Sequence, residues 1–240
     1  LGALILVSFL EDVRGVSVVW RLLAHLAAAG IFATDVLGDH GFVIAVAATL
    51  VIAWMINLYN FMDGADGLAG GMALIGFAFY GAAAWLAGNA EFALMNFSIA
   101  SAAAAFLVFN FHPARIFMGD TGPVPLGFLA AALGIIGSLQ GDWSGWFPPL
   151  VFSPFIVDAS VTLAKRTLRF ERIWEAHRNH YYQWLVRIGL GHRKTAFLEY
   201  AMMLACGMLG LVALPLSPAI QMALLAAVIL VYAVLILALE

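Results

Sequence analysis

The sequence predicts an all-α fold, a polytopic bundle of transmembrane helices. Three observations carry that prediction. Hydrophobic residues fill 64% of the 240 positions and charged residues only 10%, against about 25% charge in a soluble domain. Nine apolar runs divide the chain, and all but the first are too long and too weakly alternating for the roughly ten-residue strands of a membrane barrel. When the links between runs are assigned alternately to two sides, all 11 Lys and Arg fall on or beside one of them.

Crossing ~30 Å of hydrocarbon as helix takes about 18–20 apolar residues. The first run, 1–10, reads as the second half of a span and ends at Glu11-Asp12. Runs 18–34, 42–59, 69–87 and 92–111 follow, then a shorter one at 126–139, and then 146–164, 196–214 and 219–239. Small residues such as Gly70, Gly71, Gly76 and Gly81 crowd several of them, as close packing of helices in lipid requires. Trp85, Trp143 and Trp146 suit an aromatic belt at one interface. Excess Lys and Arg marks the cytoplasmic side. That side therefore receives 11–17, 60–68, 112–125, the amphipathic segment 165–195 and the C-terminus. Asp35, Asp39, Glu91 and Asp142 fall on the other side as solvated loop charges. Cys206 is the only cysteine, so a disulfide within the chain is excluded. No internal repeat or linker divides residues 1–240, and one integral-membrane domain is expected.

The same cytoplasmic side collects Glu11, Asp12, Asp63, Asp66, Asp120, His177 and His180, a convergence that the assignment did not require. Residues 57–69 read Asn-Leu-Tyr-Asn-Phe-Met-Asp-Gly-Ala-Asp-Gly-Leu-Ala. Asn57, Asn60, Asp63 and Asp66 thus stand where a span leaves the bilayer, and a carboxylate near hydrocarbon is costly enough to imply use. Gly64 and Gly67 loosen the backbone there. The spacing is not that of an EF-hand loop, whose oxygen ligands recur at every second position. With no Walker-type loop in the chain, phosphates must be held by metal ions and scattered cations. In 109–122, Pro113, Gly119, Gly122 and Pro123 forbid a continuing helix. Asp120 is presented there on a turn, as a hard cation such as Mg²⁺ wants its carboxylate.

Segment 165–194 holds 8 of the 11 basic residues, interleaved with aromatics. Its first half suits anionic lipid head groups. His177, Arg178 and His180 in its second half suit binding or protonating a diphosphate. A zinc pair is not expected there, for want of a third ligand. His25, His40 and His192 read as structural or solvated. Asp158, inside its run, either faces the polar site or pairs with a cation.

Together, 57–69, Phe117-Met118-Gly119-Asp120-Thr121-Gly122 and His177-Arg178-Asn179-His180 resemble motifs of the polyprenyl-phosphate N-acetylaminosugar-1-phosphate transferases, the glycosyltransferase family 4 group that includes the MraY and WecA enzymes. The resemblance covers the chain in motif order and implies about two further spans upstream of Leu1. It implies attack by undecaprenyl phosphate on a UDP-N-acetylaminosugar, giving a lipid diphosphate sugar and UMP, with Mg²⁺ (or Mn²⁺ in its place) required. By the same resemblance, Asp12 engages the lipid phosphate or removes its proton, and Asp63 and Asp66 form the central acidic motif. Asp120 is associated with the metal, with Asp63 beside it, and Phe117 lies against uracil. His177 and His180 complete the catalytic set, while Asn57, Asn60, Arg115 and Arg178 hold substrate.

Glu11 stands where the family pairs two Asp. His-Arg-Asn-His differs from the consecutive histidines of the peptidoglycan-precursor enzyme and looks more like the branch that begins O-antigen or other envelope polysaccharides. Phospho-N-acetylmuramoyl-pentapeptide transfer is the alternative within the family, and an ion-coupled transporter the alternative class. The expected setting is the bacterial inner membrane, with the site cytoplasmic. Membrane lipid is an expected partner, nucleic acid is not, and a homodimer is compatible.

Overall fold

A computed structural model describes residues 1–172 and 179–239. The described residues form helices joined by short loops, with no strand among them. In order these are α1 (Gly2–Arg14), α2 (Val18–Leu37), α3 (Phe42–Phe61), α4 (Leu68–Leu86), α5 (Ala90–Asn110) and α6 (Pro123–Gln140). After them come α7 (Phe147–Val151), α8 (Ser153–Leu168), α9 (Tyr181–Leu185), α10 (Gly191–Ala213) and α11 (Pro218–Leu239). Seven helices among the described residues are long and apolar enough to cross a membrane: α2 to α6, the α9–α10 unit and α11. The chain is a multi-helix transmembrane bundle, as its composition predicts.

The run 146–164 is not the single span expected. It divides into α7 and α8 at Phe152, whose φ of −94° and ψ of 12° leave the helical region. Pro148, Pro149 and Pro154 flank that joint, and a proline removes a helical N–H while its ring crowds the preceding turn. All of the run 1–10 but Leu1 lies within α1, which is 13 residues long.

At the centre lies α4, buried on nearly every face and packed against α5, α6, α7 and α10. Its glycines seat rings from its neighbours. A Cβ on Gly71 would stand 2.0 Å from Tyr200 Cε1, and one on Gly76 would stand 2.3 Å from Phe152 Cζ. On its other flank α3 joins α2, α6 and α8. Among the described residues, α11 buries little beyond Tyr232 and lies at the edge of the bundle.

Two readings of the loop end opposite the site are corrected. Trp143 is not part of an interfacial belt. It is buried, stacks on Tyr80 at 4.9 Å and donates to the Gly134 carbonyl at 3.1 Å, so the indole fills the core and its N–H is satisfied. Asp142 is not solvated but buried, and accepts from Asn89 Nδ2 at 2.9 Å. Asp35, Asp39 and Glu91 are exposed as expected.

Candidate active site

Four helix ends meet at one end of the bundle, because α3 and α5 finish where α4 and α6 begin. Leaving α3 at Phe61, the chain turns through 62–67 and re-enters as α4. Gly67, the residue before α4, takes φ +77°, a conformation that costs glycine little. Its N–H donates to Asn110 Oδ1 at 3.1 Å and its carbonyl accepts from the Tyr200 hydroxyl. The same Asn110 donates from Nδ2 to the Ile116 carbonyl at 2.9 Å. One buried amide at the end of α5 therefore ties the 62–67 turn to the 111–122 segment.

Asp12, at the end of α1, closes the arrangement from a third direction. Its Oδ1 accepts from the Asp120 N–H at 2.9 Å. Its Oδ2 accepts from the Thr121 N–H at 3.2 Å and the Thr121 hydroxyl at 2.6 Å. Burial alone would raise this carboxyl, but those bonds from Thr121 and Asp120 outweigh it and hold it below the usual range. Gly119 makes the close approach feasible, since at φ +57° any Cβ would stand 2.6 Å from Asp12 Oδ2. Asp12 thus shapes the turn that presents Asp120, a residue 108 positions away.

Between these segments lies a cavity of about 460 Å³. Asn60, Asp63 and Asp66 line it from one side, Phe117 and Asp120 from the other, and His192 of α10 closes it. Its charge balance is negative. Burial pushes Asp63 up to about 7, and the facing Asp120 carboxylate adds to the rise. Glu11 is also raised to about 7 by burial and Asp120, against the pull of Arg21. Arg21 pairs with Glu11 and stands 3.4 Å from Asp120 Oδ2. Asp63 and Asp120 are therefore oxygen donors facing one space with negative charge to spare, the donor chemistry a hard divalent cation uses. The first turns of α4 and α6 bring the positive ends of two helix dipoles to the same end of the bundle, which favours phosphate.

Asp66 has other partners. Its Oδ2 lies 2.7 Å from His112 Nδ1 and accepts from the Ala114 N–H at 3.2 Å. Burial would raise its carboxyl, but these bonds and the nearby His192 and His112 keep it low.

The remaining candidates scatter. Phe117 stands at the rim, 75% exposed, open to stacking. Asn57, half-buried, donates to the Ala53 carbonyl of its own helix at 2.7 Å. Arg115 is exposed and does not line the cavity. His180 is buried behind it, its Nδ1 3.1 Å from Asp158 Oδ1. His177 and Arg178 lie outside the described residues. Asp158, whose role the sequence left open, accepts from the N–H groups of Tyr181 and Tyr182 at 3.0 and 2.9 Å and so anchors the start of α9. From there the Tyr182 hydroxyl donates to the Phe61 carbonyl at 3.0 Å, bracing the Asp63 turn from beneath.

Sequence reasoning missed Asn110, His112, Thr121 and His192, and the pairing of Arg21 with Glu11 beside Asp120. Asn110, His112 and Thr121 sit inside a stretch already singled out by its Pro and Gly. His192, read as structural or solvated, carries no local signal and reaches the cavity only through tertiary packing.

Comparison with known proteins identifies the family of the chain. The family model described as "Glycosyl transferase family 4" matches residues 1–138. The "Probable undecaprenyl-phosphate N-acetylglucosaminyl 1-phosphate transferase" of Bacillus subtilis is 30% identical over 159 residues, 64% of this chain and 44% of that protein. The "Phospho-N-acetylmuramoyl-pentapeptide-transferase" of Levilactobacillus brevis is 44% identical over 92 residues, 37% of this chain and 28% of that protein. Its namesake from Anoxybacillus flavithermus is 40% identical over 111 residues, 45% and 33% of the two. The chain thus spans less than half the length of these relatives. The matched region contains Asp12, Asp63, Asp66 and Asp120, the four aspartates that three distant segments bring to one end of the bundle, and the chain belongs to glycosyl transferase family 4.

Proposed function

We propose that this protein transfers an N-acetylaminosugar 1-phosphate from a UDP-sugar to undecaprenyl phosphate, at the cytoplasmic face of a bacterial inner membrane. The product is a lipid diphosphate sugar that opens assembly of an envelope polysaccharide, and UMP is released. The observation that carries the reading is the meeting of Asp63 and Asp120 in one cavity, with Asp12 holding the Asp120 turn.

Both substrates are anionic at phosphorus, so the protein must neutralise and align them. Little covalent chemistry is asked of it, because positioning and electrostatics dominate phosphoryl transfer. Asp120 and Asp63 would hold Mg²⁺, which when bound supplies charge stabilisation for the diphosphate and the departing UMP. Arg21, beside Asp120, offsets part of the carboxylate charge when that ion is absent. The exposed ring of Phe117 offers a flat apolar face for the uracil. Asn60 supplies an amide to the cavity wall, and the helix starts of α4 and α6 favour the phosphates. Asp12 spends both oxygens on the 120–121 turn and acts as a positioning residue. A site at the end of the spans suits the pairing, since the nucleotide comes from water and the lipid arrives sideways through the bilayer.

A second reading is phospho-N-acetylmuramoyl-pentapeptide transfer. It is favoured by the higher identity, 40–44% over shorter stretches, to relatives of that name. One assay separates the two. Membranes containing the protein are incubated with undecaprenyl phosphate and a panel of UDP-sugars, UDP-N-acetylmuramoyl-pentapeptide among them, and the lipid product is weighed by mass spectrometry. A lipid diphosphate N-acetylaminosugar supports the first reading, and a pentapeptide product replaces it with the second. No lipid product from any donor overturns both.

A further inference from the structure

Asp66, His112 and His192 come from three separate segments: the turn after α3, the segment after α5 and the start of α10. His112 Nδ1 lies 2.7 Å from Asp66 Oδ2, and His192 Nδ1 lies 3.4 Å from Asp66 Oδ1. One donor atom from each of the three falls within 4.8 Å of the others. The imidazoles stack at 5.6 Å with their planes 20° apart, so neither ring blocks the other's approach to a shared point. His192 Nδ1 accepts the Asp66 backbone N–H at 3.1 Å, which assigns its proton to Nε2 and holds the ring beside Asp66; a cation taking the Nδ1 lone pair replaces that bond. Ala114 N–H fixes the Asp66 carboxylate from outside, the kind of supporting bond that orients metal ligands.

Two imidazole nitrogens and one carboxylate oxygen make a donor set that zinc takes where three protein ligands leave a fourth position open. Imidazole suits Zn²⁺ and its neighbours, whereas Mg²⁺ prefers oxygen. Bonds of about 2.0–2.2 Å place tetrahedral neighbours roughly 3.3–3.6 Å apart. The edge from His192 Nδ1 to Asp66 Oδ1 already has that length, whereas His112 Nδ1 contacts the other oxygen, Oδ2, and must withdraw from it as the shared proton leaves to complete the set. Both rings are reachable, with His112 42% and His192 38% exposed.

We propose that Asp66, His112 and His192 form a binding site for a zinc-class divalent cation, separate from the Asp63–Asp120 pair. Asp66 and His192 also line the cavity, so the open coordination position faces the space assigned to substrate. An ion held there obstructs the cavity and inhibits transfer. That consequence rests on the transferase reading, and the binding itself does not.

The test uses tag-free, full-length protein in detergent, titrated with Co²⁺ alone and followed by visible d–d absorption. A tetrahedral-type cobalt spectrum is expected, removed by Zn²⁺ and unchanged by excess Mg²⁺. His112→Gln and His192→Gln keep a polar side chain of similar reach. Each should weaken Co²⁺ binding by more than about tenfold, a loss that even an outer-shell partner's removal produces. Asp120→Asn should leave it intact. X-ray absorption on the wild-type protein should show imidazole scattering around the cobalt, a readout that needs no variant to fold. A wild-type protein without the spectrum, a spectrum without imidazole scattering, or wild-type affinity in both His variants overturns the site. In the transfer assay, Zn²⁺ should inhibit wild type while His192→Gln keeps a larger share of its own activity. Equal inhibition overturns the inhibitory role, and failure of transfer with every donor counts against the transferase reading while the cobalt result stands.

Discussion

Asp12→Asn separates a turn-holding carboxylate from a proton-accepting one. Asp12 receives three hydrogen bonds, one on Oδ1 and two on Oδ2, and an amide can offer an acceptor at only one of those positions. Bonds to a charged acceptor contribute about 1.5–3 kcal/mol each, so losing one and discharging the others costs the turn about 2–4 kcal/mol. At 1.36 kcal/mol per decade, transfer measured as kcat/KM should fall by about 30- to 1,000-fold. Thr121→Val removes only the 2.6 Å hydroxyl bond and should cost about 1.5–3 kcal/mol, or roughly 10- to 150-fold. Because both act through one turn, the double variant should lose less than the product of the single losses. Transfer of radiolabelled sugar phosphate, measured across pH and Mg²⁺ concentration, reads the difference. Positioning predicts that both variants need more Mg²⁺ and keep the wild-type pH profile. Loss of the ascending pH limb in Asp12→Asn, with Thr121→Val near normal, would make Asp12 the proton acceptor and refute the reasoning.

Asp120→Asn should abolish transfer at unchanged protein abundance, and EDTA should silence wild type; residual turnover in either case removes the metal from the account. Gly119→Ala forces a Cβ to within 2.6 Å of Asp12 Oδ2 at a positive φ, so activity should fall at least as far as in Thr121→Val, with near-normal rates counting against the turn geometry. Asp158→Ala leaves the Tyr181 and Tyr182 N–H groups without their acceptor, at about 1–3 kcal/mol each; hydrogen exchange across Tyr181–Leu185 should quicken, and an unchanged rate refutes the anchor. Burial raises the Asp142 carboxyl above its usual range, so the fold favours its neutral form. The stability gained from that preference is present below the unfolded value of about 3.9 and is lost as pH rises through the folded one. Asp142→Asn should therefore raise the detergent-solution melting temperature at neutral pH and lose that advantage near pH 4; a lower melting point at neutral pH refutes it.

How far the sequence could be read depends on the range over which each residue's partners lie. Spans are a local property, since hydrocarbon thickness sets their length and composition marks them, and six of the nine runs became uninterrupted spanning helices close to their expected limits. The run 146–164 failed because averaged hydropathy conceals what individual prolines do to the backbone, although Pro148, Pro149 and Pro154 were visible all along. Trp143 and Asp142 were misread for the opposite reason. Each looks like an interfacial residue beside its neighbours, and only the packing of Tyr80 and Asn89 against them makes them core. The site divides in the same way. Asp63, Asp66 and Asp120 were legible because an acid among glycines at the end of a span has few cheap explanations. The partners of Asp66 were not, because His112 and His192 are 80 residues apart and each alone reads as a solvated ring. The duty of Asp12 was hidden more deeply, since composition marks a carboxylate as a reagent and only coordinates show both oxygens committed to holding another residue's backbone. An acidic motif in a membrane protein is therefore evidence of a site, whereas the task of each acid within it follows from what its oxygens already accept.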